Sequence, residues 1–225
     1  MKSALMKSCW LLLVACLMWL PGMAMAAEPV AGVDYELIDG GKPYAPLNGK
    51  VEVAEVFAYP CIHCAHFEPI VSAWARKQPS YVRFTPVPAG LNSSWVPYAR
   101  AYYAAQLTGV LPKTHDAVFK ALHESGTLPA RNATAEELTR FYASYGVNAS
   151  TFNDTLRGPK VDALMKQAND FVMASGIRGT PTLVINGKYR VTGGKTFDDV
   201  LQIADYLVAK EHGRAPKTGK ASAGN

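Results

Sequence analysis

Val51-Glu52-Val53-Ala54-Glu55-Val56-Phe57-Ala58-Tyr59-Pro60-Cys61-Ile62-His63-Cys64 begins as a strand and ends as a helix, and the change falls at the first cysteine. Residues 51–57 are rich in valine and bounded by Gly49-Lys50 and Pro60. A short apolar run of that kind is a buried strand of a parallel or mixed sheet. From Cys61 onward Phe67, Ile70, Val71 and Trp74 recur at helical steps as far as Gln78-Pro79, and Pro69 should kink this helix. Residues 81–87 form a second strand, closed by Pro88 and Gly90.

No strand signal appears over the next stretch. Helical segments begin near Ser94, Thr114, Thr134 and Pro159 and stop at Gly109, Gly126, Gly146 and Gly176. Thr134 with Glu137 makes a capping-box pair, and Val161, Leu164, Met165, Ala168, Phe171 and Val172 make one apolar stripe. Strand signals return at residues 182–185 and 188–191. The Asn186-Gly187 pair between them is the signature of a type I′ hairpin turn. In the final helix Thr196 caps, and Phe197, Val200, Leu201, Ala204 and Leu207 face the core. The order is βαβ, a helical stretch, then ββα. The expected class is α/β, a central mixed sheet flanked by helices with an inserted all-helical domain at 92–176 and the sheet domain discontinuous over 27–91 and 177–211.

The two ends bear on compartment. Lys2 and Lys7 precede an apolar run over residues 9–20, Pro21-Gly22 breaks it, and Ala24-Met25-Ala26 follows. This is the anatomy of a secretory signal peptide over 1–26, cleaved after Ala26, with export to the periplasm as the expectation. A membrane anchor is the alternative for so long an uncharged segment, but the Pro-Gly break opposes it. A lipoprotein box ending at Cys16 is opposed by the apolar residues after it. Removing the leader takes away two lysines and no acid, lowering the formal charge from +5 to +3. Lys210, Arg214, Lys217 and Lys220 against Glu211 account for what remains, so the fold itself is neutral on formal count. Nucleic-acid binding is therefore not expected, and residues 212–225, polar and rich in Gly, Ala and Lys, read as a disordered tail.

The leader also removes Cys9 and Cys16, leaving Cys61 and Cys64. A chain of about 200 residues can bury a core without disulfide staples. A staple closing so short a loop would contribute only about 2 kcal/mol, against about 4.7 for a hundred-residue loop. Structural zinc needs four ligands, and beyond Cys61, Cys64 and His66 the histidines His115, His123 and His212 lie far along the chain; no metal and no cofactor is expected. Haem attachment needs His directly after the second cysteine, where Ala65 stands. A Cys-x-x-Cys beside a βαβ pattern is a redox signature.

Position supplies the chemistry. At a helix start, the Cys61 sulfur faces unpaired N–H groups and the positive end of the helix dipole, both of which favour thiolate, the attacking species. Cys64, a turn further in, is shielded and resolves the mixed disulfide. The His63 imidazole is placed to donate to the Cys61 charge or to offset it. Each pKa unit of thiolate stabilisation corresponds to about 1.4 kcal/mol, or about 30 mV of two-electron potential. Gly179-Thr180-Pro181-Thr182 precedes the hairpin. A cis bond at Pro181 would bring the Thr180 backbone near the cysteines, where an extended substrate could add as a short strand. Glu55 is either on an exposed face or a buried carboxyl that accepts the Cys64 proton through water. Glu68 is expected at the surface.

At these residues the chain resembles the DsbA family of thiol–disulfide oxidoreductases. The resemblance runs over about 32–211 and is carried by residues 55–64, Phe67-Glu68-Pro69, the Gly-Thr-Pro-Thr segment and the helical stretch between them. It implies a thioredoxin fold and a monomer that donates its disulfide to reduced or unfolded exported proteins. A quinone-linked membrane partner of the DsbB type would then reoxidise it. A depressed cysteine pKa and an oxidising potential are general attributes of that family rather than new expectations. Two departures bear on the potential. Ile62 replaces the family's usual proline before His63, and Thr180, rather than valine, precedes Pro181, as in the related disulfide isomerases. Those isomerases carry an N-terminal dimerisation domain for which residues 27–50 are too few. Isomerase or reductase action is the competing enzymatic reading, and a chaperone-like binding module of the envelope the competing non-enzymatic one.

Overall fold

Residues 28–213 are described by the computed structural model; the leader expected over 1–26 and most of the tail expected over 212–225 lie outside the described residues. At its centre is strand β2 (Val51–Phe57), buried along its whole length. It pairs in parallel with β3 (Val82–Pro88) on one side and antiparallel with β4 (Thr182–Ile185) on the other. Strand β5 (Tyr189–Val191) returns from β4 and pairs with β1 (Tyr35–Leu37), giving the order β1-β5-β4-β2-β3. Asn186 and Gly187 both take positive φ, 51° and 68°, as the two central residues of a type I′ turn must.

Strand β1 was not among the expected elements. Only Tyr35 of its three residues is buried, so it carries no alternation to read. It is a strand because β5 offers a free edge, with Tyr35 opposite Val191 and its ring edge-on to Tyr189 at 5.7 Å. The helices are α1 (Ile62–Ala75), α2 (Val96–Leu107), α3 (Leu111–His123), α4 (Ala135–Ala143), α5 (Ala149–Leu156), α6 (Pro159–Ala174) and α7 (Phe197–Glu211). Helix α1 runs through Pro69. The helical stretch holds five helices where four were expected, α5 being the addition. Asn148 caps it by accepting from the Thr151 N–H. The capping boxes of α4 (Thr134 with Glu137) and α7 (Thr196 with Asp199) are both formed.

Strand alternation sorts the core into two layers. Val51, Val53, Leu183 and Ile185 join Phe67 and Val71 of α1 and Leu201, Ala204 and Leu207 of α7. Ala54, Val56 and Val184 join the residues of α2–α6, including Tyr98, Tyr103, Val118, Leu138 and Phe171. The helical stretch thus shares one continuous core with a face of the sheet, and β2 lies between the layers.

Candidate active site

The corner between β2 and α1 places the cysteines. Tyr59 and Pro60 turn the chain, the Cys61 N–H donates to the Ala58 carbonyl at 3.1 Å, and the Cys61 carbonyl accepts from Ala65 at 3.1 Å. Cys61 is the N-cap of α1, with φ −85° and ψ 116°, and makes no side-chain cap. Its sulfur is therefore left to face the first helical turn. Cys61 is half-buried, Cys64 is 1% exposed, and both are free thiols.

Their environments differ in sign. Cys61 is lowered from 9.0 to about 5, first by a hydrogen bond from Cys64, against an opposing cost of partial burial. Thr180 and the backbone N–H groups of Cys64 and His63 add to the lowering. Cys64 is pushed far up, first by burial and next by its bond to Cys61; the Ala58 N–H reaches its sulfur at 3.5 Å. One sulfur is arranged to hold a charge and the other to hold a proton.

The Thr180–Pro181 peptide bond is cis, and it sets the Thr180 carbonyl 3.3 Å from Cys61 Sγ. As a thiol, Cys61 donates to that oxygen. As a thiolate it cannot; the Thr180 hydroxyl, buried and without a hydrogen-bond partner, is then free to donate to the charged sulfur. His63, Phe67, Thr180, Pro181, Leu183 and Phe197 line a groove of about 190 Å³ beside the pair. His63 belongs to that groove wall. What residue 63 presents to the Cys61 sulfur is its backbone N–H.

Of the two acids singled out in the sequence, Glu55 is buried on β2 at 2% exposure. Its pKa stands well above the ordinary carboxyl value, because burial penalises the charge and Glu68 adds a second negative charge nearby. Glu68, expected at the surface, is buried instead at 6% exposure on α1. Ser72 donates to one of its carboxyl oxygens, and His115 Nε2 stands 3.2 Å from the other. His115 Nδ1 in turn lies 2.8 Å from the Tyr59 hydroxyl, and His123 Nε2 lies 2.7 Å from the Tyr59 carbonyl. The sequence reading set these histidines aside as too distant along the chain. The available signal was their spacing with Phe119 at i, i+4 and i+8, one face of a helix. Glu52, also unremarked in the sequence, is fully buried on β2. It accepts from the Tyr44 N–H at 2.7 Å and pairs with Arg83 at 2.7 Å.

The chain matches known proteins along most of its length. A family described as DSBA-like thioredoxin domain matches residues 71–205. The thiol:disulfide interchange protein DsbA of Azotobacter vinelandii is 38% identical over 195 residues, covering 82% of this chain and 88% of that protein. The protein of the same name from Pseudomonas aeruginosa is 35% identical over 199 residues, covering 87% and 92%. Among solved structures, the oxidoreductase DsbA from Xylella fastidiosa superposes with a TM-score of 0.81 at 46% identity, covering 83% of this chain and all of that one. The family match begins at Val71, past the cysteines, whereas the alignments to whole proteins are long enough to take in both Cys61-Cys64 and Thr180-Pro181. By these matches and its thioredoxin fold, the chain belongs to the DsbA family of thiol:disulfide interchange proteins and is a thiol–disulfide oxidoreductase.

Proposed function

We propose that the chain acts as a disulfide donor in the periplasm, oxidising reduced or unfolded exported proteins and being reoxidised by a quinone-linked membrane partner of the DsbB type. The observation that carries this reading is the opposed ionisation of the two sulfurs, about 5 for Cys61 and far above 9.0 for Cys64. A thiolate so well stabilised is a good leaving group and favours the reduced protein, which makes the disulfide an oxidant.

In the forward reaction a substrate thiolate attacks Cys61 of the Cys61–Cys64 disulfide. The bond between the two protein sulfurs breaks, Cys64 leaves with the electron pair, and a mixed disulfide forms at Cys61. Cys64 then takes up a proton, which its burial favours. A second substrate thiolate attacks the substrate sulfur of the mixed disulfide and expels Cys61 as thiolate. The substrate has lost two electrons and gained a disulfide; the protein carries both electrons as a thiol and a thiolate. Glu55, whose pKa burial raises, is the group assigned to exchange the Cys64 proton through water. Thr180 and Pro181 receive the substrate main chain beside Cys61, and the backbone N–H of His63 adds to the contacts that favour thiolate.

The decisive test equilibrates the purified protein with graded glutathione mixtures alongside thioredoxin. The donor reading expects this protein to be reduced in mixtures that leave thioredoxin, at about −270 mV, still oxidised. If both remain oxidised together, the donor role fails and a reductase is left. Fractionation of cells by osmotic shock tests the compartment, since release with periplasmic proteins is expected.

A further inference from the structure

The Cys-x-x-Cys segment is gripped on both flanks by a single helix that carries neither cysteine. His123 Nε2 lies 2.7 Å from the Tyr59 carbonyl oxygen. A carbonyl only accepts, so that nitrogen carries the hydrogen and donates it. His115 Nε2 lies 3.2 Å from Glu68 Oε2 and its Nδ1 lies 2.8 Å from the Tyr59 hydroxyl. His115 thus stands between the Tyr59 hydroxyl, to which Nδ1 is hydrogen-bonded, and the Glu68 carboxyl, against which Nε2 packs at ion-pair distance. Ser72 donates to the other Glu68 oxygen. Every member of the chain Tyr59–His115–Glu68–Ser72 thus has a partner, as groups at this depth require.

The placement is specific. Tyr59 sits two residues before Cys61, and Glu68 sits four after Cys64. Helix α3 therefore holds the residue that turns the chain into the active corner by both its main chain and its side chain, and holds α1 one turn beyond the second cysteine. Packing stiffens the grip: the Tyr59 ring is 4.9 Å from Phe119 and 5.3 Å from His115, and Tyr59 is 1% exposed. The other titratable groups facing this chain are Glu55 from β2, which shares the field of Glu68, Tyr98 and Tyr102 from α2, whose rings lie 6.4 Å from Tyr59 and 5.8 Å from His115, and Tyr142 from α4, which acts on the Tyr59 hydroxyl.

We propose that His115 and His123 are positioning residues for thiol exchange, fixing the first turn of α1 so that its N–H groups and the Cys64 thiol converge on Cys61 Sγ. The inference rests on the reading of Cys61 as the reactive thiolate. Hydrogen bonds weaken steeply with misalignment, so loosening the corner removes several of the contacts that lower Cys61 at once, although no variant touches the sulfur.

The test is a thiolate-absorbance titration of the full chain and three variants, with folding checked by circular dichroism. His115→Phe keeps the ring in its aromatic cluster but loses the hydrogen bond to Tyr59 and the polar contact with Glu68. Its Cys61 midpoint should rise by about one pH unit, a tenfold weaker thiol acid. His115→Gln, which restores one donor and one acceptor, should bring the midpoint back towards that of the parent. Tyr59→Phe, which removes a single oxygen, should raise it by less than His115→Phe. A folded His115→Phe with an unchanged midpoint overturns the inference; if His115→Phe does not fold, an unchanged midpoint in Tyr59→Phe overturns it. A parent protein whose Cys61 titrates as an ordinary thiol would instead overturn the reading of Cys61 itself, so the two failures are distinct.

Discussion

Charge on one sulfur ties the stability of the reduced protein to pH. The Cys61 pKa is depressed on folding, from 9.0 to about 5. Its stabilisation is therefore complete above the unfolded value, shrinks as pH falls from 9.0 towards 5, and is gone below about 5. The reduced protein should accordingly melt higher than Cys61→Ser at neutral pH, by a margin that disappears below about 5. A margin constant across that interval would show an unstabilised sulfur. The contributors can be ranked by substitution. The Cys64 thiol is the largest, whereas what reaches Cys61 from residue 63 is an N–H that any side chain leaves in place. Cys64→Ala should raise the Cys61 midpoint by at least about one pH unit, and His63→Leu should raise it by less; equal shifts would give the imidazole a share the geometry does not show. The two cysteines and Pro181 were legible in the sequence because each stands at a boundary marked by neighbouring residues. The surroundings of Glu68 and His115 were not, because they depend on a contact between two helices that no local pattern records.

The hairpin and two of the caps, being local, were read from the chain with their correct residues, whereas the helix expected to begin near Thr114 begins at Leu111. Thr134 and Thr196 each close a capping box, and Asn186-Gly187 makes the turn. What the local pattern does not reveal is the chain that crosses that turn. A Cβ on Gly187 would lie 2.0 Å from the Lys42 carbonyl, and one on Gly41 would lie 2.0 Å from the Gly187 oxygen. Gly187→Ala should therefore cost well over about 1 kcal/mol, since φ is positive and the space is filled by backbone; a denaturation midpoint within error of the parent would contradict this close crossing. Elements were missed where no pattern existed to be read. Strand β1 buries one residue in three. Helix α5 is largely Ser, Thr, Asn and Asp, residues that compete with helical backbone bonds, and it is held by the Asn148 cap, by burial of Phe152 and Leu156, and by Arg100, which donates twice to the Leu156 carbonyl.

Across the whole molecule the least expected feature is a second buried acid on the central strand. The Glu52 carboxylate accepts from the Tyr44 and Ala45 N–H groups, from Thr85 and from Arg83, while its N–H donates to Asn186. It binds the loop after β1 to β2, β3 and the hairpin at once. Glu52→Ala should lower stability by about 3 kcal/mol, because donors arranged around a buried charge lose their acceptor together; chemical denaturation would measure it, and a loss below about 1 kcal/mol would mean water replaces the carboxylate freely. Outer strand β3 carries a quieter consequence. Ala89 donates inward to Phe57, so its alternate neighbours Pro86 and Pro88 point their nitrogens outward, where neither has a hydrogen to offer. That rim is thereby bare of donors at two successive outward positions, and an extended stranger finds no ladder there to climb.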